Sequence, residues 1–431
     1  MQPPRGTRDF GPDEMAARRA LEEKLRRVFR TYNYREVQTP TFEEVELFLA
    51  KSGPGIRDEI YDFKDKSDRE LALRPELTAP VMRYYFSTLK MQPKPIRLFY
   101  FGPCYRYDRP QAGRYREFWQ MGCELIGDDS PEAHAELIRL ALDLFEAAGL
   151  ADYQLRLGHL WILRSLLEEL GFPLAAQAPL MRLIDKKELN GLREALSSKA
   201  SGAKLDAFMH LFEYTRLEQL RELAKAGKAK EAYDHLDRVF GALAAFGVDA
   251  SKVRVDPTIA RGLEYYSGLV FELDAPFLGA EKQLLGGGAY DLSAVFQQAP
   301  VACVGFALGF DRTLVALEKK GLHVGAVDGV DAYLAALDAD ARPTLLRAAH
   351  ELRRNGHRVE LESGVVALKK ALQRGTTVGA KLAVFAGAQE AGRGVVAVKD
   401  LATGQQSEVA AAQVARRVDE LIRAAPRSAP R

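Results

Sequence analysis

Residues Arg97 to Gly127, RLFYFGPCYRYDRPQAGRYREFWQMGCELIG, read as two strands joined by a basic loop. In the second strand, alternation puts Trp119, Met121, Cys123 and Leu125 on one side and Phe118, Gln120, Gly122 and Glu124 on the other. The first set is an apolar core face. The second lines up an aromatic ring, an amide and a carboxylate, with Arg106 available from the neighbouring strand. A polar strand face on its own is ordinarily a solvated one. The loop from Asp108 to Arg116, however, carries Arg109, Arg114 and Arg116 around Gly113. Guanidiniums beside an aromatic plane suit a polyphosphate and a base, because a planar guanidinium pairs bidentately with phosphate oxygens.

Composition bounds the reading. A chain of 431 residues fits about three domains, and 47% hydrophobic content is enough for sizeable cores. Lys and Arg total 61 against 59 for Asp and Glu, a net charge of +2, so the chain is not a polycation and any nucleic-acid binding must come from local patches. Cys104, Cys123 and Cys303 are far apart in apolar, strand-like contexts, which predicts buried free thiols without a disulfide framework or zinc spacing. The N-terminus, MQPPRGTRDF, has no apolar signal region, and no apolar run approaches the about 18 residues of a membrane span. The expectation is a soluble cytoplasmic protein with no membrane association.

Three regimes follow one another along the chain. From about Asp13 to Tyr32, Leu21, Leu25, Val28 and Phe29 recur at helical spacing, before a strand-like run from Tyr34 to Thr39 and then Pro40. After Ser130, PEAHAELIRLALDLFEAAG presents Leu137, Ile138, Ala141, Leu144 and Phe145 on one helical stripe, expected to cover a sheet. The stretch 158–250 is rich in Leu, Ala, Lys and Glu, shows no strand alternation, and reads as a helical insertion. Strands return at Lys252 and continue to about Leu314. A linker is expected at 321–329, then a separate α/β domain over 330–424 from alternating segments such as VDAYLAAL, HRVELE, KLAVFAG and GVVAVKDL, and a disordered tail at 425–431.

The hairpin run YRYDRPQAGRYREFWQ resembles motif 2 of class II aminoacyl-tRNA synthetases in the form used by the histidyl-tRNA synthetases. Four further segments fall in the order of that family. LRPELTAP (Leu73 to Pro80), RGLEYYSGLVFE from Arg261, LLGGGAYD (Leu284 to Asp291) and VGFALGFDR (Val304 to Arg312) are similar to its other signatures. The likeness runs from RGTRDF at Arg5 to about Leu421. It implies an α+β fold: an antiparallel-sheet catalytic domain in two parts, 1–157 and 251–320, interrupted by the helical insertion and followed by an α/β anticodon-binding domain. The first helix, strand and proline would form motif 1, packed across a homodimer interface. The pattern alone fits a monomer's core helix equally well.

The resemblance also implies the chemistry: L-histidine and ATP, with Mg²⁺, would give histidyl-adenylate, and histidine would then pass to the 3′ end of tRNA(His). Arg106 and Arg114 would hold ATP phosphates, Phe118 would stack on adenine, and Arg312 would cover the opposite face of the base. Asp108 stands where the family has Glu for an adenine contact, and Ala289 where it often has Arg. Glu76 and Thr78 would accept the ammonium of histidine, while Gln120, Glu124, Tyr266 and Tyr290 would surround its imidazole. Arg261 would be the catalytic residue, assisted by Arg106, with a guanidinium touching both the substrate carboxylate and the α-phosphate. Glycines 286 to 288 fit close approach of backbone to ligand.

Taken singly, each of these residues has an ordinary structural reading: a solvated arginine, a strand tyrosine with one face in the core, a salt-bridged Arg-Gly. No metal ligands are legible. SGPGI at Ser52 to Ile56 is a dinucleotide-motif decoy, lacking a third glycine and a preceding strand. The nearest rival is the non-catalytic paralogue that regulates ATP phosphoribosyltransferase, and the intact RGLEYY run with a full C-terminal domain argues against it. A class II synthetase for another amino acid would not need Glu124 beside a two-tyrosine run, and a purely RNA-binding protein would not need the ATP constellation.

Overall fold

The computed structural model describes residues 1–108, 115–260, 266–322, 324–325 and 329–424. Met1–Ala326 and Val327–Arg431 form two compact units. The first begins with α1 (Pro12–Thr31), whose Leu21, Leu25 and Phe29 repeat every four residues and are fully buried. Next come β1 (Arg35–Glu36), β2 (Phe42–Glu44), α2 (Val45–Ser52), β3 (Tyr61–Lys64), β4 (Glu70–Leu73) and α3 (Thr78–Tyr84). The strand expected over Tyr34 to Thr39 is thus only two residues long. The hairpin follows as β5 (Ile96–Tyr105) and β6 (Glu117–Ile126).

After α4 (Pro131–Ala148) and β7 (Gln154–His159), the chain runs through helices α5 (Leu160–Glu169), α6 (Ala178–Lys186), α7 (Leu189–Ser197), α8 (Ala203–Met209) and α9 (Gly227–Ala245). It then returns through β8 (Val253–Val255), β9 (Tyr266–Asp274), β10 (Gln283–Tyr290) and β11 (Cys303–Gly309), and closes on α10 (Phe310–Lys319).

Eight strands form one sheet in the order β1-β5-β6-β11-β10-β9-β7-β8. All its pairs are antiparallel except β1 with β5 and β7 with β8. A second, small sheet has the order β2-β4-β3. One apolar core runs from α1 and α4 through the sheet into the helices between β7 and β8, including Met121, Cys123 and Leu125 of β6 and Leu236 and Val239 of α9. That explains why α4 is buried beyond its predicted stripe: α9 packs on it as well as the sheet. All three cysteines are free and buried.

In the second unit β12 (Ala332–Ala336) lies between parallel neighbours β13 (Val359–Val365) and β14 (Leu382–Ala386), and β15 (Val395–Asp400) and β16 (Gln406–Ala410) continue the sheet antiparallel. Helices α11 (Arg342–Arg354) and α14 (Val414–Ala424) cover one face, on Leu334, Val384 and Val398. Tyr333 and Ala335, the alternate residues of β12, pack on the other face against α12 (Leu368–Thr377), and the short α13 (Ala388–Gly392) lies between β14 and β15 in the chain. Among the described residues no helix is long and apolar enough to cross a membrane.

Candidate active site

A cavity of about 610 Å³ lies against β6, β9, β10 and β11 of the first unit. Strand β6 sets its long dimension. Phe118, Gln120 and Glu124 share one face of this strand, and six residues of strand extend about 20 Å, long enough for a nucleotide and an amino acid end to end. Every expected site residue that is described lines this cavity: Arg106, Asp108, Phe118 and Arg312 of the nucleotide set, and Glu76, Thr78, Gln120, Glu124, Tyr266 and Tyr290 of the amino-acid set. Arg261 and Arg114 lie outside the described residues, as do Arg109 and Tyr265.

At the inner end Glu124 is 1% exposed. Its carboxylate accepts from the Tyr290 hydroxyl at 2.6 Å and from the Tyr100 hydroxyl at 3.0 Å. Burial raises its pKa to about 7 against the pull of the Tyr290, Thr78 and Tyr100 hydroxyls, and Glu76 adds to the rise. The phenols of Tyr100 and Tyr290 are themselves pushed well up, chiefly by burial and then by the Glu124 charge, so they remain donors. Gly305 of β11 stands opposite Glu124 in register, and a Cβ there would overlap the carboxylate.

Nearer the hairpin loop, the Arg106 guanidinium lies 5.2 Å from the centre of the Phe118 ring and its Nε donates to the Pro75 carbonyl at 2.9 Å. Arg312 donates to the Gln283 carbonyl at 3.1 Å. Glu76 accepts from the backbone N–H of Thr78 at 2.7 Å and of Ala79 at 3.1 Å, and pairs with Lys51 at 3.0 Å. The Thr78 hydroxyl is 3.5 Å from that of Tyr100, which links the Glu76 and Glu124 ends.

Two expectations change. Arg116 is not among the residues lining the cavity: its Nε donates to the Asp108 carbonyl at 3.2 Å and its guanidinium covers the Tyr107 ring, so it braces the loop base. Of the three glycines, Gly286 and Gly287 line the cavity, but a Cβ on Gly287 would meet the Gly305 carbonyl of β11 and one on Gly288 the Leu269 carbonyl of β9, so the sheet itself requires both.

Several lining residues carry no sequence signature. Tyr100 of β5, not itself a lining residue, donates to Glu124 and could have been placed by the alternation that runs on to Arg106. Lys51, Asp185 and Glu272 come from α2, α6 and β9 and meet the cavity only through tertiary packing. Glu272 accepts from Gln283 at 2.9 Å and pairs with Arg156, which also holds Asp256 and Asp274. Asp311, beside Arg312, receives Arg8, Arg18 and the backbone N–H of Trp119.

The antiparallel sheet with an arginine- and aromatic-lined cavity along its hairpin is the catalytic architecture of the class II aminoacyl-tRNA synthetases. The sequence matches the histidyl-tRNA synthetase family over residues 6–313 and an anticodon binding domain over residues 331–421. It is 44% identical over 406 residues to a histidine–tRNA ligase of Methanoregula boonei, covering 94% of this chain and 95% of that one. It is 43% identical over 412 residues to a histidine–tRNA ligase of Archaeoglobus fulgidus, covering 94% and 97%. The crystal structure of apo histidyl-tRNA synthetase from S. aureus superposes with a TM-score of 0.72 at 25% identity, over 97% of this chain and 99% of that one. The chain belongs to the histidyl-tRNA synthetase family, and it is an enzyme of the ligase class with ATP as a substrate.

Proposed function

We propose that the cavity binds L-histidine and ATP along β6 and joins them as histidyl-adenylate, after which histidine passes to tRNA(His). The observation that carries this assignment is Glu124: a fully buried carboxylate held between two phenols, with acceptor capacity left for an imidazole N–H that an apolar side chain cannot supply. Tyr266 and Gln120 complete that end, and Glu76 and Thr78 take the ammonium. Arg106, Arg114, Asp108, Phe118 and Arg312 hold ATP by phosphate pairing and by stacking on adenine. A carboxylate oxygen of histidine attacks the α-phosphorus, pyrophosphate leaves, and Arg261 stabilises the charge that accumulates between the two anions. In the second step a terminal ribose hydroxyl of the tRNA attacks the carbonyl carbon and AMP departs.

Among the described residues no group of three His, Cys, Asp or Glu side chains could hold a metal ion, and Glu272 in the cavity is already engaged by Arg156 and Gln283. The described residues thus offer no protein cage. Mg²⁺ would arrive on the ATP phosphates, whose charge it neutralises. The motif 1 resemblance implies a homodimer, a reading supported by the exposed Phe42–Phe63 pair on the small sheet and testable by sedimentation. The second unit, with Arg353, Arg354, Arg358, Lys369, Lys370 and Arg374 all exposed, is proposed to bind tRNA. A cytoplasmic location follows from tRNA charging itself. Amino-acid-dependent ATP–pyrophosphate exchange with all twenty amino acids tests the assignment. Exchange with histidine alone is expected, and exchange with none would favour the regulatory paralogue.

A further inference from the structure

Lys51 reaches the cavity from α2 with only 4% of its side chain exposed, and its Nζ lies 3.0 Å from Glu76 Oε2. An ion pair with one partner buried and the other, Glu76, half-buried is a poor stabilising device, because desolvation of the charges offsets their attraction. This one faces a ligand cavity. Glu76 also accepts the N–H groups of Thr78 and Ala79, so its orientation is held without Lys51. What Lys51 adds is a cation beside the carboxylate expected to take the substrate ammonium.

The ammonium and carboxylate of an α-amino acid sit one carbon apart, a separation comparable with that of the Lys51–Glu76 pair. A zwitterion laid against the pair with its ammonium on Glu76 brings its carboxylate to Lys51, giving four alternating charges in a water-poor site. Arg106, another cation lining the cavity, directs its Nε to the Pro75 carbonyl and its guanidinium over Phe118, on the nucleotide side. We infer that Lys51 is a substrate-binding residue that takes the α-carboxylate of the amino acid and presents it toward ATP, in addition to the transition-state contact proposed for Arg261. This rests on the reading of the cavity as a histidine site.

The test compares histidine with histidinol, its amino alcohol, which keeps the ammonium and imidazole and lacks the carboxylate. Binding of each is measured by calorimetry to the full-length parent, Lys51→Met, Lys51→Gln and Lys51→Arg, with the melting temperature recorded for each. Loss of the charge-assisted contact should weaken histidine by at least about tenfold in both neutral variants, while histidinol changes by less than about twofold or tightens as Glu76 is freed. Lys51→Arg should restore most of the histidine affinity. Parallel weakening of both ligands would make Lys51 only a support for Glu76 and overturn the inference, as would unchanged binding of both. A parent that binds neither ligand would overturn the histidine-site reading itself, and this inference with it. The two neutral variants differ in polarity, so a folding defect in one leaves the other to decide.

Discussion

Arg18 and Asp311, 293 positions apart in the chain, form a buried ion pair at 2.6 Å. Arg8 donates to the same carboxylate oxygen at 2.7 Å, and the backbone N–H of Trp119 donates to the other at 2.6 Å. The Arg18 guanidinium also lies over the rings of Phe10 and Trp119. One carboxylate therefore ties the N-terminal segment and α1 to β6 and to the start of α10, where Arg312 enters the cavity.

Arg18→Met should be strongly destabilising, because it leaves Asp311 buried with only part of its compensation. Breaking such a pair costs about 3–5 kcal/mol, and the surviving Arg8 contact points to the lower figure. Pairing it with Asp311→Asn should recover part of the loss, since both charges are then gone. Urea unfolding of the two variants measures this, and an Arg18→Met loss below about 1 kcal/mol would show that Arg8 suffices.

Glu124 should make histidine binding pH-dependent. Its carboxyl is raised to about 7, so below that pH the empty protein holds it protonated, and binding an imidazole N–H to the carboxylate must release that proton. The Michaelis constant for histidine should rise as pH falls from 8 to 6, whereas that for ATP should not. Glu124→Gln should abolish the carboxyl's share of this dependence and weaken histidine far more than ATP. The sign for stability is the reverse: a raised folded pKa means that Glu124 opposes folding increasingly as pH rises from its ordinary value near 4.5 toward 7, and Glu124→Gln should stabilise the empty protein at pH 8. Equal losses for both ligands would make Glu124 a structural carboxylate.

The histidines of the core should make the protein acid-labile. His134 on α4 and His235 on α9 are 3.0 Å apart, and His159 at the end of β7 touches His235 edge-on. Burial, then the neighbouring imidazoles, lowers His134 and His159 to about 3. With a folded pKa below the unfolded value near 6.5, the stabilising contribution is complete above pH 6.5 and is lost as pH falls toward 3. His134→Gln should flatten the fall in melting temperature between pH 7 and 5. An unchanged slope would place the acid lability elsewhere.

The hairpin was legible because period-two alternation in β6 separates Met121, Cys123 and Leu125 from Phe118, Gln120 and Glu124, and the fold keeps these six on the faces as read, while Trp119 of the apolar set packs against the core and also lines the cavity. What local pattern does not contain is pairing at long range. Asp311 looks like an ordinary acid in a first helical turn until Arg8 and Arg18 arrive from the other end of the unit. Lys51 looks like a surface lysine closing a short helix until α2 is laid against Glu76. Likewise the helical segment after β7 reads as an insertion by composition, yet its Leu236 and Val239 complete the core that holds the sheet.

Arg261→Ala should slow adenylate formation while sparing histidine binding. The residue opens the RGLEYY run and is proposed to contact both anions in the transition state. Loss of one such contact costs about 3 kcal/mol, or roughly a hundredfold in rate. Single-turnover formation of adenylate measures it, and a rate within about threefold of the parent would remove Arg261 from the catalytic role.

Division of the chain into units Met1–Ala326 and Val327–Arg431 predicts separable activities. Every described residue of the cavity precedes the division, and the first unit has its own core, independent of the one beneath α11 and α14. A chain ended at Ala326 should therefore retain histidine-dependent pyrophosphate exchange. It should lose efficient charging of tRNA(His), because the exposed cations on α11 and α12, and Arg358 just before β13, are removed. In the full-length protein, raising salt should weaken charging much more than exchange, since each phosphate contact contributes about one unit to the logarithmic salt slope. Exchange and charging measured on the same truncated protein decide between three outcomes. Retained exchange with lost charging fits a tRNA-binding second unit, and full charging would exclude that role. Loss of both would mean that the second unit is needed for folding or dimerisation of the first.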